Sequence, residues 1–207
     1  VGTPSFLDEV ASSSPAPGGG ASAAHTAALA SALVAMVCRL TIGKKKYAGV
    51  EEEMRQTLEA AETLRKYFEN AVEEDTRAFS VVMQALGMPK ETEEQKAARA
   101  QKMEEGSKAA NVVPLAVLEK APKLLRLANT AAEKGNVNAT SDAATAGSLA
   151  FAAAEGAYFN VLINLKGISE KKHVSEAHWK AKNCLQDAMA EKEKQRQIVE
   201  KLLSLEN

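Results

Sequence analysis

The sequence predicts an all-α protein, an up-and-down bundle of six to seven main helices in which residues 1–207 form a single domain. Three observations predict it. Apolar residues recur at three- and four-residue steps along nearly every segment, β-branched runs are absent, and strong turn signals are few. Since 45% of the 207 residues are hydrophobic, the chain can bury a sizeable core without staples.

The first helix is short, about Ser5 to Ser12. It ends before Ser14-Pro15-Ala16-Pro17-Gly18-Gly19-Gly20, where prolines remove donors and glycines permit unusual dihedrals. A small-residue helix follows from about Gly20 to Ile42 and stops at Gly43. The third helix spans about Val50 to Leu86 and is ended by Gly87-Met88-Pro89. Thr92 with Gln95 forms a capping-box pattern that starts a fourth helix, which Pro114 and Pro122 are expected to kink or divide before about Glu133. A polar turn from Gly135 to Thr140 leads to a fifth helix, capped by Ser141 or Asp142 and closed by Lys166-Gly167. Ser169 precedes the last helix.

Composition narrows the function classes. A formal charge of −1 from nearly balanced acids and bases offers no global field for nucleic acid or anionic lipid, so neither is expected as a partner. The stretches Ala21–Cys38 and Ala143–Leu165 are long and apolar enough to raise a membrane question. They consist mainly of Ala, Gly and Ser, and the second carries Glu155, Asn160 and Asn164, so both read as core helices. Cys38 and Cys184 have no metal spacing and read as buried thiols in a reducing, cytoplasmic setting. No secretory signal opens the chain, and Val1 reads as a trimmed start. His25 reads as a packed histidine, while His173 and His178 stand at a poor chelating step, so no metal is expected.

The most informative position is a carboxylate on an apolar seam. On the third helix Leu64, Phe68, Val72, Asp75, Phe79, Val82 and Leu86 recur at helical spacing, with Asp75 among hydrophobes. Desolvation there would favour its neutral form and raise its pKa into a range useful for proton transfer. The alternative is an aspartate tied to a basic or amide partner across the bundle.

Asn136, Asn138, Ser141 and Asp142 cluster at the entry of the fifth helix, as turn and cap residues or as ligand contacts. Asn160 and Asn164 stand four apart on one face of that helix, able to read a heterocycle edge or to bond between helices. Eighteen residues separate Asp142 from Asn160, about 27 Å along a helix, so a single small ligand cannot touch both. The glycine run from Gly18 to Gly20 opens a helix N-terminus that could receive an anion, but without a Walker lysine or a preceding strand. Lys44, Lys45 and Lys46 form a compact cationic loop.

Taken together and in order, these pieces resemble the formimidoyltetrahydrofolate cyclodeaminase/cyclohydrolase family. The matching residues are Phe6 to Val10, the Pro15 to Gly20 loop, Met36 to Thr41, Gly43 to Tyr47, Asp75 with Arg77-Ala78-Phe79, and Met88-Pro89-Lys90. The series continues through Val113-Pro114-Leu115, Gly135-Asn136 with Ser141-Asp142, and Gly156 to Lys166. Each piece is short, and their colinearity over nearly the whole chain carries the resemblance.

The resemblance implies an all-α homodimeric enzyme with folate bound near the subunit interface and no cofactor beyond its tetrahydrofolate substrate. It implies Asp75 as the catalytic acid and gives His25 no role. The expected reaction converts 5-formimidoyltetrahydrofolate to 5,10-methenyltetrahydrofolate plus ammonia, with Asp75 shuttling the proton. Asn160, Asn164, Asp142, Ser141 and Asn136 would orient the pterin or one-carbon unit beside Gly18 and Gly19. Lys44, Lys45 and Lys46 would hold the glutamate tail. The alternatives are a methenyltetrahydrofolate cyclohydrolase yielding 10-formyltetrahydrofolate, or a helical interaction module without catalysis. The formiminotransferase fused to this domain in animals is not recognisable in these residues.

Overall fold

The computed structural model describes residues 5–204, all-α, with six α-helices and two 3-10 turns. The expected trimmed start at Val1 lies outside them. The short α1, Phe6–Val10, is held by a capping box in which Ser5 and Asp8 satisfy each other's free groups. The helix α2, Gly19–Arg39, ends three residues before the expected Ile42. There Thr41 turns its hydroxyl back onto the Val37 carbonyl at 2.7 Å, and Gly43 takes φ 79°, a left-handed conformation that suits glycine. The lysine loop is not irregular, because Lys45 and Lys46 open a 3-10 turn over Lys45–Val50.

The long α3, Glu51–Leu86, has the expected bounds within a residue, but its apolar seam does not stay buried. Met54, Ala61, Leu64, Phe68 and Ala71 lie in the core, whereas Leu86 is 48% exposed. Past Ala71 the cover is thinner, and of the later residues only Ala85 is fully buried, while Val82 lies against Gly106 of the fourth helix. Phe68, fully buried, is the largest side chain of this core, and Phe68→Ala is expected to cost about 3–5 kcal/mol, measured by urea unfolding.

The fourth helix is not divided at its prolines. α4 runs unbroken over Glu93–Lys134, with Pro114 and Pro122 inside it and the Thr92/Gln95 capping box at its start. Both prolines are buried, so packing against neighbouring helices holds the backbone together where local chemistry alone would break it. A second correction concerns α5, Thr140–Leu165: its cap is Ala139, with no side-chain cap bond, and Ser141 and Asp142 lie inside its first turn. Ser169 precedes α6, Lys171–Leu203, as expected, and its hydroxyl pairs with Glu104 of α4.

Helices α2, α3, α4 and α5 pack in cyclic order, and α6 lies along α4 and α5. The core where α2 meets α5 is mostly alanine, which lets the backbones approach closely at no side-chain entropy cost. α2 and the segment Val137–Leu165 are long and apolar enough to cross a membrane, yet 61% and 39% of their most apolar windows are buried inside the bundle. Close contact is most evident at Gly147, where an added Cβ would lie 1.8 Å from the amide of Gln195 on α6. Gln195 is buried there and donates to the Ala143 carbonyl. Both cysteines are free; burial pushes the Cys38 thiol up to about 11 and raises Cys184, which suits packed rather than reactive thiols. His25 is not packed in the core: it faces outward and stacks on Phe6, ring centroids 4.4 Å apart.

Candidate functional site

Asp75 lies two turns beyond Phe68 on α3, at the level where the bundle opens and the Pro15–Gly20 loop crosses to begin α2. A cleft of about 180 Å³ forms between loop, helices and carboxylate. Its walls are Gly18, Gly19 and Gly20 from the loop and α2, Asp75 and Phe79 from α3, Ala110 from α4, and Asn160, Ile163 and Asn164 from α5. Gly19 and Gly20 leave no room for a larger residue, whereas Gly18 would admit one. A Cβ on Gly20 would sit 2.3 Å from a carboxylate oxygen of Asp75, and one on Gly19 would sit 2.9 Å from the amide nitrogen of Asn160.

Burial raises the pKa of Asp75 from its ordinary 3.8, and a hydrogen bond from the Ala21 backbone N–H opposes that rise. The partner across the bundle is thus a backbone amide and not a basic or amide side chain. The carboxylate is desolvated at the rim of a cleft, and it is also tied to a backbone amide, where it meets the positive end of α2. Since Gly18 offers no side-chain cap, Asp75 occupies the place a capping group would take.

The two asparagines differ in their anchors. Asn160 donates its Nδ2 to the Gly156 carbonyl one turn back at 2.8 Å, while Asn164 donates its Nδ2 across to the Ala110 carbonyl of α4 at 2.8 Å. Asn164 thus does carry the interhelical bond that was one of its two sequence readings. Asn160 bonds within its own helix.

The remaining candidates do not meet Asp75 in one chain. Asn136, buried, is spent on the fold: its backbone N–H donates to Thr41 Oγ1 at 2.8 Å and its Nδ2 to the Leu40 carbonyl at 3.1 Å. Its Oδ1 accepts from Asn138 N at 3.2 Å and from the Tyr47 hydroxyl at 3.4 Å. Asn136 is therefore a strut joining the end of α2 to the start of α5. Ser141 and Asp142 stand at that same end, as do the exposed Lys44, Lys45 and Lys46. The length of α2, about 31 Å, separates them from the Asp75 cleft.

Sequence reasoning left out Phe79, Ala110 and Ile163 as cleft walls. Phe79 stands one turn beyond Asp75, a spacing that could have flagged it. Ala110 carries no chemical signal and is found only through helix packing.

The family model described as Formiminotransferase-cyclodeaminase matches residues 3–183. A methenyltetrahydrofolate cyclohydrolase of Methylorubrum extorquens is 45% identical over 185 residues, covering 89% of each chain. The mouse formimidoyltransferase-cyclodeaminase is 34% identical over 183 residues, 88% of this chain but only 34% of that longer protein. Among solved structures, a formiminotetrahydrofolate cyclodeaminase from Thermotoga maritima matches with TM-score 0.78 and 34% identity, over 96% of this chain and 93% of that one. Matches of this extent to an all-helical fold and to folate enzymes show that the chain belongs to the formiminotransferase-cyclodeaminase family, as an enzyme of its cyclodeaminase and cyclohydrolase type.

Proposed function

We propose that the chain acts on the one-carbon bridge between N5 and N10 of tetrahydrofolate, hydrolysing 5,10-methenyltetrahydrofolate to 10-formyltetrahydrofolate, with Asp75 moving the proton. The observation that carries this reading is the half-buried carboxyl of Asp75 at the wall of a cleft, with its pKa raised by burial. Hydrolysis is placed first because the Methylorubrum cyclohydrolase combines 45% identity with equal span. Cyclodeamination, the reaction the sequence resemblance put first, is the second reading, supported by the likeness to the Thermotoga cyclodeaminase.

In hydrolysis water adds to the bridging carbon, and the Asp75 carboxylate takes the proton that the water sheds. The carboxylic acid so formed returns that proton to N5 as the carbon–N5 bond breaks. The new hydroxyl loses its own proton to solvent and becomes the formyl carbonyl on N10. In cyclodeamination the same carboxyl would carry a proton from N10 to the departing amine, which leaves as ammonia. No cofactor enters either sequence.

A base must be ionised to act, so kcat/KM for hydrolysis is expected to fall as pH drops through the raised pKa of Asp75. Its acid limb should lie above the ordinary 3.8, and a limb at or below that value counts against Asp75 as the base.

The cleft, about 180 Å³, is smaller than the about 300–1,000 Å³ typical of sites that enclose a drug-sized ligand. A second copy would enlarge it. Leu29 and Met36 on α2, Leu40 just past its end, and Phe159 and Ile163 on α5 are exposed, and Ile163 also lines the cleft. A two-fold axis running across α2 and α5 would bring the partner's far end toward Asp75, with its lysines near a glutamate tail. Sedimentation should then give a dimer, and Phe159→Glu with Ile163→Glu should yield a monomer. The free thiols fit a cytoplasmic setting.

An ultraviolet assay with both folates tests the function. Loss of methenyltetrahydrofolate absorbance marks hydrolysis, and its gain from the formimidoyl substrate marks cyclodeamination. No change with either leaves a non-catalytic helical module.

A further inference from the structure

The cleft presents hydrogen-bond acceptors with hardly any side-chain donor among them, and the reason is how its two amides are clamped. Asn160 commits Nδ2 to the Gly156 carbonyl and Asn164 commits Nδ2 to the Ala110 carbonyl, both at 2.8 Å. A carbonyl oxygen accepts and never donates, so these bonds determine which end of each amide is held. Each Oδ1 is left over. Among the described residues nothing donates to either oxygen, and neither belongs to the buried polar atoms that lack a partner, so both stay open to the cleft their residues line. The third polar side chain, Asp75, brings a carboxylate. One lone pair of that carboxylate meets the Ala21 N–H at the positive end of α2, and no cationic side chain lines the cleft.

Three acceptors around a space this small favour a ligand that carries positive charge or donors, and oppose one whose nearest atom is itself a carbonyl oxygen. Resting on the folate reading above, we infer that Asn160 and Asn164 determine specificity by charge: they admit the one-carbon unit in its cationic forms, bridged methenyl or formimidoyl amidinium, and disfavour the neutral N-formyl forms. Such a preference has a consequence for turnover. Hydrolysis discharges the cation and creates a carbonyl, so the product meets the same oxygens as a misfit and leaves. The two asparagines touch substrate without exchanging protons with it, which separates their role from that of Asp75.

The test uses the full chain, 5,10-methenyltetrahydrofolate as substrate and 5-formyltetrahydrofolate, whose one-carbon unit is uncharged, as competitive inhibitor. The wild type is expected to hold the cation more tightly, with Ki for the formyl compound exceeding KM for the methenyl compound by about tenfold or more. In Asn160→Leu and Asn164→Leu this ratio should fall toward one, mainly through a raised KM. Since Asn164 also ties α5 to α4 and its variant could fold poorly, Asn160→Asp supplies an independent arm. It keeps Oδ1, replaces Nδ2 by a second and charged oxygen at the loss of a bond within its own helix, and should retain or increase the preference. An unchanged ratio in both leucine variants, or an aspartate variant that loses discrimination as the leucine one does, overturns the inference while the folate reading stands. Absence of turnover with either folate in the wild type overturns both.

Discussion

Asp75→Asn is expected to lower kcat by about 10²–10⁴-fold, the usual contribution of a positioned proton-transfer group, while the melting temperature stays level or rises. The two halves of this expectation share one cause. Burial raises the pKa of Asp75, so the folded protein binds that proton more tightly than the unfolded chain does. The stability this contributes is complete below the unfolded value and is lost as pH rises through the folded one. At neutral pH the ionised carboxyl therefore works against folding, and asparagine removes the charge while its Oδ1 can still accept from the Ala21 N–H. Steady-state rates with methenyltetrahydrofolate and thermal unfolding at pH 7 check both halves. Near-normal kcat in a folded variant would leave Asp75 as a helix-capping group only.

Gly20→Ala should damage the site from the opposite wall. Its Cβ would lie 2.3 Å from one Asp75 oxygen and 2.6 Å from both the second oxygen and the carboxyl carbon, so the whole carboxylate group stands in its way. Aspartate is short and its backbone belongs to a 36-residue helix, so relief comes only from swinging the carboxylate out of place or from parting α2 and α3. Displacement of a reacting group by about 1 Å is enough for a 10²-fold loss of rate, and overpacking costs about 1–3 kcal/mol. Unlike Asp75→Asn, this variant should lose both turnover and stability, a contrast that separates missing chemistry from misplaced chemistry. Gly49→Ala is the control, since nothing lies within 4 Å of its added Cβ. Wild-type kcat in Gly20→Ala would mean that the carboxylate does not act from this position.

Much of the fold was legible because helical signals are local. The Thr92/Gln95 capping box, the end of α3 at Gly87 and the alanine stripes of α2 and α5 each follow from spacing within a turn or two. Errors arose where a local rule met a packed environment. Pro114 and Pro122 should break a helix in water, but inside the bundle they are buried in an intact one. Ser141 is a good cap by residue type, yet α5 begins a residue earlier, after the turn that the Asn136 hydrogen bonds build.

By itself the sequence determined that the chain is helical, that Asp75 is the odd carboxylate on an apolar seam, and that Asn160 and Asn164 share a helix face, since each is a matter of period along one helix. Only the tertiary structure decided which of these groups meet. It brought Asp75 to the glycines of α2 and the asparagines of α5, and it left Asn136, Asp142 and the three lysines a helix length away. The physical reason is that helix crossings are set by how side chains of different segments interlock, and the small residues that allow the closest crossings, Gly20 and Ala110 among them, carry no chemical mark of their own.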